Sequence, residues 1–159
     1  MTLLSAPVRT CFWLPGTGEE AARFWTSLLP DSAIEGVVAQ DDGTPLIIEF
    51  RLAGAPMMIL NAGGAPPPSH AASISVLTDS QRETDRLWAA LGADGGAEVA
   101  CGWITDRFGV SWQIVPRRLP EMFASPDRAA AGRAFAAMQQ MVKIDIAAVE
   151  AAFAGGDRP

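Results

Sequence analysis

The sequence feature that most constrains the fold is an internal repeat that spans two predicted helices. Five positions of the first helix recur sixty-three positions later, in the pairs Thr17 and Ser80, Glu20 and Glu83, Arg23 and Arg86, Trp25 and Trp88, and Leu28 and Leu91. Two unrelated amphipathic helices often share capping residues but seldom share register across the cap and the apolar face. The repeat indicates a duplicated unit, and two unrelated helices are the alternative.

The residues around the first helix predict the order β-α-β-β-β. The apolar stretch Val8–Leu14 is typical of a strand, and Thr17 with Glu20 forms the pattern of a capping box. The apolar side chains that follow have helical spacing and predict one buried face: Ala21, Phe24, Trp25, Leu28 and Leu29. Three further apolar runs separated by turn residues predict strands over Ala33–Gln40, Pro45–Leu52 and Ala55–Asn61.

The same order repeats after a segment rich in Pro and Gly. Because Pro lacks the amide hydrogen that a sheet uses and Gly is costly to order, residues 62–71 are predicted to be a linker. A strand over Ala72–Thr78, a second capping box at Ser80 and a last strand over Val110–Val115 follow. We therefore predict an α+β fold with a first module over residues 1–61, a second module over 72–116 and a helical tail over 117–159.

Composition argues against several classes of protein. Apolar residues make up 49% of the chain and charged residues 19%, which is too hydrophobic for a disordered protein. The net charge of −6 is opposite to the basic surplus of most nucleic-acid binders. No apolar run approaches the ~20 residues that cross a bilayer, no signal-peptide pattern is seen, and two cysteines make no disulfide framework. We expect a cytoplasmic protein without nucleic-acid or membrane partners.

Several segments resemble the PhnB-like family. The most specific is Cys101–Pro116, CGWITDRFGVSWQIVP, and the others are Trp13–Gly16, Glu19–Trp25, Leu29–Ser32, Asp85–Trp88, Met138, Met141 and Lys143–Ile146. This family belongs to the vicinal-oxygen-chelate superfamily, with glyoxalase I, the bleomycin-resistance proteins and the extradiol dioxygenases. Its members often carry the name 3-demethylubiquinone-9 3-methyltransferase. The resemblance implies paired β-α-β-β-β modules with curved sheets, a ligand cavity between or within the sheets, and a bacterial homodimer that often exchanges elements.

The positions that hold a metal in the metal-using relatives carry poor ligands here. The resemblance places them on the first and last strands of each module, at Thr10, Met58, Ser73 and Gln113. None of these offers an imidazole or a carboxylate, which are the usual ligands of a divalent metal together with thiolates. Gly16 and Gly18 make only Gly-x-Gly, which is a weak signal for adenosylmethionine. We therefore predict no metal and no cofactor.

Strand alternation from these positions gives a predicted ligand-binding set. Its members are Thr10, Phe12, Met58, Leu60, Ser73, Ser75, Ser111 and Gln113. A surface of apolar side chains with a few hydroxyls and one amide suits a small neutral or weakly polar molecule, whose identity the sequence does not give. Candidates to line the same cavity are Trp13, Trp103 and Trp112. A filled interior without a ligand is the alternative.

Other reactive side chains keep further functions open. His70, the only histidine, lies in the predicted linker and is expected to be a solvated loop residue. Cys11 is expected to be buried in the core by strand alternation, and Cys101 is expected to be structural. Glu49 and Asp106 are candidate carboxylate bases, although Asp106 is more typical of a turn. An enzyme, either a methyltransferase or a metal-dependent lyase or dioxygenase, is the alternative function, and a structural interaction role is the third.

The tail carries apolar residues with helical spacing. Ser125 and Asp145 are predicted helix N-caps, and the stripe comprises Ala134, Phe135, Met138, Met141, Ile146, Val149 and Phe153. An apolar stripe must cover a sheet or a partner. We expect the tail to close over the interface of a homodimer, and a tail folded back on its own subunit is the alternative.

Overall fold

In the computed structural model, which describes residues 6–155, the chain divides into two units between Pro67 and Pro68. The division lies within residues 62–71, the predicted linker. The outer ends of the predicted first module and of the tail, residues 1–5 and 156–159, lie outside the described residues. No helix within residues 6–155 is both long and apolar enough to cross a membrane.

The first unit contains a four-stranded mixed sheet and one helix. Its elements are β1 (Thr10–Leu14), α1 (Gly18–Leu28), β2 (Ala33–Ala39), β3 (Pro45–Leu52) and β4 (Ala55–Asn61). The strands lie in the order β1-β4-β3-β2, with β1 parallel to β4 and the other pairs antiparallel.

The second unit repeats this topology and adds the tail. Its elements are β5 (Ile74–Thr78), α2 (Gln81–Gly92), a 3-10 turn (Ala93–Gly95), β6 (Ala97–Glu98), β7 (Trp103–Thr105) and β8 (Ser111–Pro116). The strand order β5-β8-β7-β6, again with the first and last strands parallel, matches the order in the first unit. The predicted fold of two β-α-β-β-β modules is confirmed.

One face of each sheet is covered by the helix of its own module. In the first module Trp25 is fully buried, and its ring lies 5.2 Å from the ring of Phe12 and 5.8 Å from that of Phe50. In the second module the hydroxyls of Thr78 and Thr84 lie 2.7 Å apart between β5 and α2. The predicted apolar helix faces are therefore the core of each module.

The start of α1 differs from the prediction. Thr17 makes no side-chain cap; instead the Gly18 amide donates to Oδ1 of Asn61, at the end of β4, at 2.9 Å. The capping box at Ser80 is half formed. Ser80 Oγ accepts from the Glu83 amide, but the Glu83 carboxylate accepts from the Asp79 amide rather than from that of Ser80.

Three helices form the tail: α3 (Arg118–Phe123), α4 (Arg128–Met138) and α5 (Ile146–Ala154). Asp145 caps α5 as predicted, because its carboxylate accepts from the Ala148 amide at 2.9 Å. The predicted cap at Ser125 is wrong. Asp127 caps α4 instead, and its carboxylate accepts from the Ala130 amide at 2.9 Å.

The tail packs on its own chain. Its helices enclose an apolar cluster that includes Met138 and Val149, with Val115 of β8 packed against it. Main-chain bonds from Cys101 to Met141, at 2.7 Å, and from Gly102 to Val142, at 2.8 Å, fix the tail to the β6–β7 turn. Most of the apolar stripe is therefore covered by its own chain, as in the alternative; Phe135, at 47% exposed, is the exception.

The contact between Gly18 and Asn61 predicts that Gly18→Ala destabilises the first module. A Cβ at Gly18 would lie 2.8 Å from Ile59 Cγ2 and 2.9 Å from Asn61 Oδ1, so the helix must move away from its cap. We expect a loss of about 1–3 kcal/mol in the free energy of unfolding, measured by urea denaturation. Gly132→Ala, in α4 with open space around it, is the control and should be neutral or stabilising. Equal effects of the two changes would contradict the packing described.

The ion pair between Asp85 of α2 and Lys143 of the tail predicts that the attachment of the tail depends on pH. Hydrogen bonds from Lys143 and then from Gln81 lower the pKa of Asp85, so the ionised carboxylate favours the folded state. This contribution is present above about pH 4, the unfolded pKa, and is lost as the pH falls through the lower folded pKa. Asp85→Asn should therefore lower the free energy of unfolding at pH 7, on the order of 0.5 kcal/mol for this exposed pair, and have a smaller effect at pH 2.5, as measured by thermal denaturation. A loss of equal size at both pH values would disprove the linkage.

Candidate functional site

The face of the second sheet that α2 leaves uncovered brings polar side chains together. Because Thr78 lies against α2, alternation puts Ser75 and Leu77 on the opposite face, which we call the distal face. Ser75 lies beside Gln113 in the parallel β5–β8 register, and Trp103 lies beside Gln113 in the antiparallel β7–β8 register. The distal face of the second module is thus formed by three neighbouring strands.

All four predicted ligand-binding residues of this module lie on its distal face. The Gln113 amide donates to Ser73 Oγ at 2.7 Å, and Ser75 is exposed beside them. Ser111, two residues before Gln113 on β8, is only 2% exposed. Strands β5, β7 and β8 contribute no charged side chain to either face. The result is an uncharged surface with hydroxyls, one amide and one indole.

His70 lies against this surface. Its Nδ1 is 2.8 Å from Ser111 Oγ, and its ring meets the Trp103 ring edge-on with centroids 6.1 Å apart. Nearby, Pro68 closely approaches Gly109, where a Cβ would lie 2.7 Å from the Pro68 ring. The sequence prediction of a solvated loop histidine missed this contact. The sequence contains one related feature, because Pro68 belongs to the Pro-rich segment and Gly109 has no side chain to block its approach.

The predicted residues of the first module are split between two faces. The register pairs Thr10 with Met57 and Phe12 with Ile59, and Phe12 packs on Trp25 of α1. Met58 and Leu60 therefore lie on the distal face, whereas Thr10 and Phe12 lie on the helix-covered face. The expectation that these four share one face is wrong. Whether any predicted residue binds a ligand stays a prediction.

A one-residue difference between the modules explains why the predicted residues of the first module lie on two faces. Three residues separate β1 from α1, but only two separate β5 from α2. The repeat distance of the helices therefore differs by one residue from that of the first strands. By register the counterpart of Thr10 is Ile74 rather than Ser73, because each begins the parallel pairing of its module.

The distal face of the first module carries a charged cluster instead. Glu49, beside Met58 in the register, is 3% exposed, and its Oε1 lies 3.8 Å from Nε of Arg9, whose side chain is 4% exposed. Nη1 of Arg9 also donates to Glu35 at 3.0 Å and to the main-chain oxygen of Met57 at 3.2 Å. Arg51 pairs with Glu35 at 2.9 Å. Glu49 thus takes part in an ion pair across the sheet.

Two other candidate side chains have structural surroundings. The Asp106 carboxylate accepts from the amides of Phe108 and Val110 and from the Trp112 indole, so it holds the β7–β8 turn and orients a fully buried ring. Trp112 lies beside Ile104 in that core and is not a distal-face residue. Cys11 is exposed, because it lies on the uncovered face of an edge strand, so the expectation that it is buried is wrong.

A cavity of about 500 Å³ lies where α2 and α5 begin, away from the predicted site residues. Its cations are already paired: Arg117 with Asp79 at 2.6 Å, and Arg118 with Glu121 and Glu150. These carboxylates raise the pKa values of both guanidinium groups. Both arginines that line the cavity already pair with carboxylates, so neither is available to bind an added anion.

The donor set does not fit the metal that some members of this superfamily hold. Within residues 6–155, no three His, Cys, Asp or Glu side chains converge on one point. The distal face of the second module offers Ser and Gln oxygens near one imidazole, a poor set for a divalent transition metal.

The Arg9–Glu49 pair predicts a large effect of removing one partner. Arg9→Met leaves the Glu49 carboxylate buried without its guanidinium, and we expect a loss of about 3–5 kcal/mol in the free energy of unfolding. The double change Arg9→Met/Glu49→Gln should cost less than Arg9→Met alone, as measured by chemical denaturation. Arg23→Met removes an exposed helical pair with Glu19 and serves as the control, with a small expected effect. A double variant less stable than the single would contradict the pairing.

Comparison with solved structures places this fold among known proteins. A putative 3-demethylubiquinone-9 3-methyltransferase, a PhnB protein from Bacillus cereus, is 27% identical, covers 70% of this chain and 99% of its own, and has a TM-score of 0.61. Protein PA1353 from Pseudomonas aeruginosa is 23% identical over 70% of this chain and 98% of its own, with a TM-score of 0.57. The fosfomycin resistance protein FosX from Mesorhizobium loti is 15% identical over 77% of this chain and all of its own, with a TM-score of 0.56.

The last two likenesses, below 25% identity, show the fold alone. No curated protein matches the chain. A family model described as 3-demethylubiquinone-9 3-methyltransferase matches residues 6–115, which end within β8. The tail, whose residues Met138 to Ile146 resemble the same family, lies outside the matched region. The match covers both modules, and the chain therefore belongs to this PhnB-like family.

Proposed function

We propose that this protein binds a small uncharged molecule on the distal face of its second module, without a metal. The observation that carries the proposal is the hydrogen-bonded pair of Gln113 and Ser73 beside Trp103 on a surface built from uncharged strands. The Gln113 oxygen and the Ser73 hydroxyl hydrogen are each left to interact with a bound molecule. An indole beside such groups adds apolar area for an aromatic or aliphatic ligand.

The contrast between the modules supports the choice of the second one. In the first module, Arg9 and Glu49 occupy the distal face with a buried ion pair and further bonds to Glu35 and to the main chain. A neutral ligand there would have to displace charges that already satisfy one another. In the second module the corresponding residues are neutral, and Ser75 and Leu77 are exposed.

The methyltransferase named in the family description is the second candidate. An adenosylmethionine site of the familiar kind uses free amides of a glycine-rich loop at a helix start. Here the Gly18 amide already donates to Asn61 Oδ1. Ile59 and Asn61 also fill the space next to Gly18, where a Cβ atom would lie 2.8 Å from Ile59 and 2.9 Å from Asn61. The start of α1 therefore favours packing over nucleotide binding.

Gln113→Met tests the proposed site, with Gln140→Met as a matched control at an exposed position of the tail. Benzyl alcohol is the ligand, followed through the NMR signals of the Trp103 indole and the Gln113 side-chain amide. We expect benzyl alcohol to shift both signals in the unaltered protein. Gln113→Met should weaken the binding of benzyl alcohol about tenfold, the usual effect of losing one hydrogen bond, because Met cannot replace the hydrogen bonds of the Gln113 side chain.

The control should bind as the unaltered protein does. Unshifted Trp103 signals, or equal binding by the two variants, would show that the distal face is not the site. Native mass spectrometry of freshly purified protein adds the mass of any retained molecule or metal, and a stoichiometric metal would refute the metal-free proposal.

We further propose a cytoplasmic homodimer, on the ground of the family resemblance. Each module has an exposed apolar side chain on its first strand, Trp13 at 43% in one and Leu77 at 45% in the other, and each is suited to contact with a partner. Light scattering of the purified protein measures the subunit count, and a monomer at micromolar concentration would overturn this proposal.

A further inference from the structure

The chain's single histidine is held by a buried serine, and this contact defines its tautomer. Ser111 is 2% exposed, and its hydroxyl lies 2.8 Å from His70 Nδ1. Within residues 6–155, the Ser111 side chain has no other hydrogen-bond partner. A buried hydroxyl that donates to nothing is destabilising, which favours donation of the Ser111 proton to Nδ1. Nδ1 is then the acceptor, and the hydrogen of the neutral ring lies on Nε2.

The Nε2–H group is available for a ligand. His70 is exposed, and its other contact is an edge-on approach to the Trp103 ring, whose neighbour in the register is Gln113. The imidazole therefore lies beside the site proposed above while its Nδ1 is engaged by Ser111. A donor at that position complements an acceptor oxygen.

The charge of the surroundings selects the kind of acceptor. The strands of the distal face carry no cation, and a carboxylate bound there would lose water without gaining a paired charge. A carbonyl oxygen accepts a hydrogen bond without this penalty. The hydrophobic indole of Trp103 next to the donor suits the body of such a compound.

We propose that His70 is a ligand-binding residue whose Nε2–H donates to the carbonyl oxygen of a small uncharged ketone or amide, and that Ser111 is the positioning residue that fixes this tautomer. The inference rests on the proposed function, because it assigns a ligand class to the same site. It adds a residue from outside the strands, and it explains why a buried serine on β8 faces the segment that joins the modules.

The tautomer is tested without any ligand. The chain has one histidine, so a two-bond nitrogen–proton NMR correlation at pH 8 shows one ring. We expect the Nε2–H form in the unaltered protein, and a shift toward the mixture of a solvated imidazole in Ser111→Ala. Detection of the Nδ1–H form, or an unchanged ratio in Ser111→Ala, would overturn the role of Ser111.

The ligand class is tested with a matched pair of compounds. Acetophenone and α-methylstyrene have the same shape, but only acetophenone has an acceptor oxygen. We expect acetophenone to shift the Trp103 and His70 signals and to bind about tenfold more tightly than α-methylstyrene. His70→Phe should remove that difference, and His70→Gln, which keeps an N–H donor, should retain most of it.

The outcomes separate the two proposals. If neither compound nor benzyl alcohol shifts the Trp103 signal, the proposed site and the inference fall together. If both compounds bind with equal affinity, or His70→Phe leaves acetophenone binding unchanged, the site stands and the inference is wrong. Binding of benzoate in place of acetophenone would overturn the carbonyl class and indicate a carboxylate ligand.

Discussion

In each module the first strand pairs in parallel with the last, and this pairing decides which side chains share a face. Cys11 lies beside Met58 in one module, and Ser75 lies beside Gln113 in the other. A shift of one residue would exchange the two faces and bury the distal side chains under a helix. The arrangement of Ser73, Ser75 and Gln113 on one surface therefore follows from the register of β5 on β8, and α2 packs on the other side of the sheet.

The two modules have one topology but different distal faces. In the first, Arg9 and Glu49 neutralise each other at low exposure, and the face is occupied by the protein's own charges. In the second, hydroxyls, an amide and an imidazole interact through neutral hydrogen bonds. Neutral groups that hydrogen-bond to one another keep lone pairs and hydrogens that a ligand can use. A buried ion pair whose charges already satisfy each other is not readily displaced by a ligand. The duplication thus gives one module whose distal face is occupied by paired charges and one whose distal face is neutral, and this contrast supports the binding function proposed for the second.

Much of the fold could be predicted from the sequence, because its signals are local. Strands β3 and β4 begin and end at the predicted residues, and the recurring Trp25 and Trp88 mark the two helix faces. The errors arose where a distant residue decides the outcome. Asn61 rather than Thr17 supplies the side-chain acceptor at the start of α1, and the shorter β5–α2 connection shifted the repeat by one residue. No local pattern shows either effect.

The candidate site shows the same limit. The family resemblance gave Ser73 and Gln113, and strand alternation added Ser75 and Ser111; the structure brings the four together because β5 pairs with β8 and Ser73 immediately precedes β5. The place of His70 depends on a contact that spans 41 residues, and a loop segment has no periodicity from which to infer it. The surroundings of Glu49, a candidate base by sequence, likewise depend on a distant partner, because its ion pair is with Arg9, forty positions earlier in the chain.

The reach of Arg9 has a consequence for the order in which the first module assembles. Strands β2, β3 and β4 form by short antiparallel turns, whereas β1 joins only by parallel pairing with β4, and Arg9 meets Met57 across 48 positions of the chain. Closing a long loop before any contact forms is slow, so local hairpins precede it. We therefore expect β1 to be the last of the four strands to dock, although it is synthesised before the other three. Arg9 then forms its contacts with a sheet that is already in place.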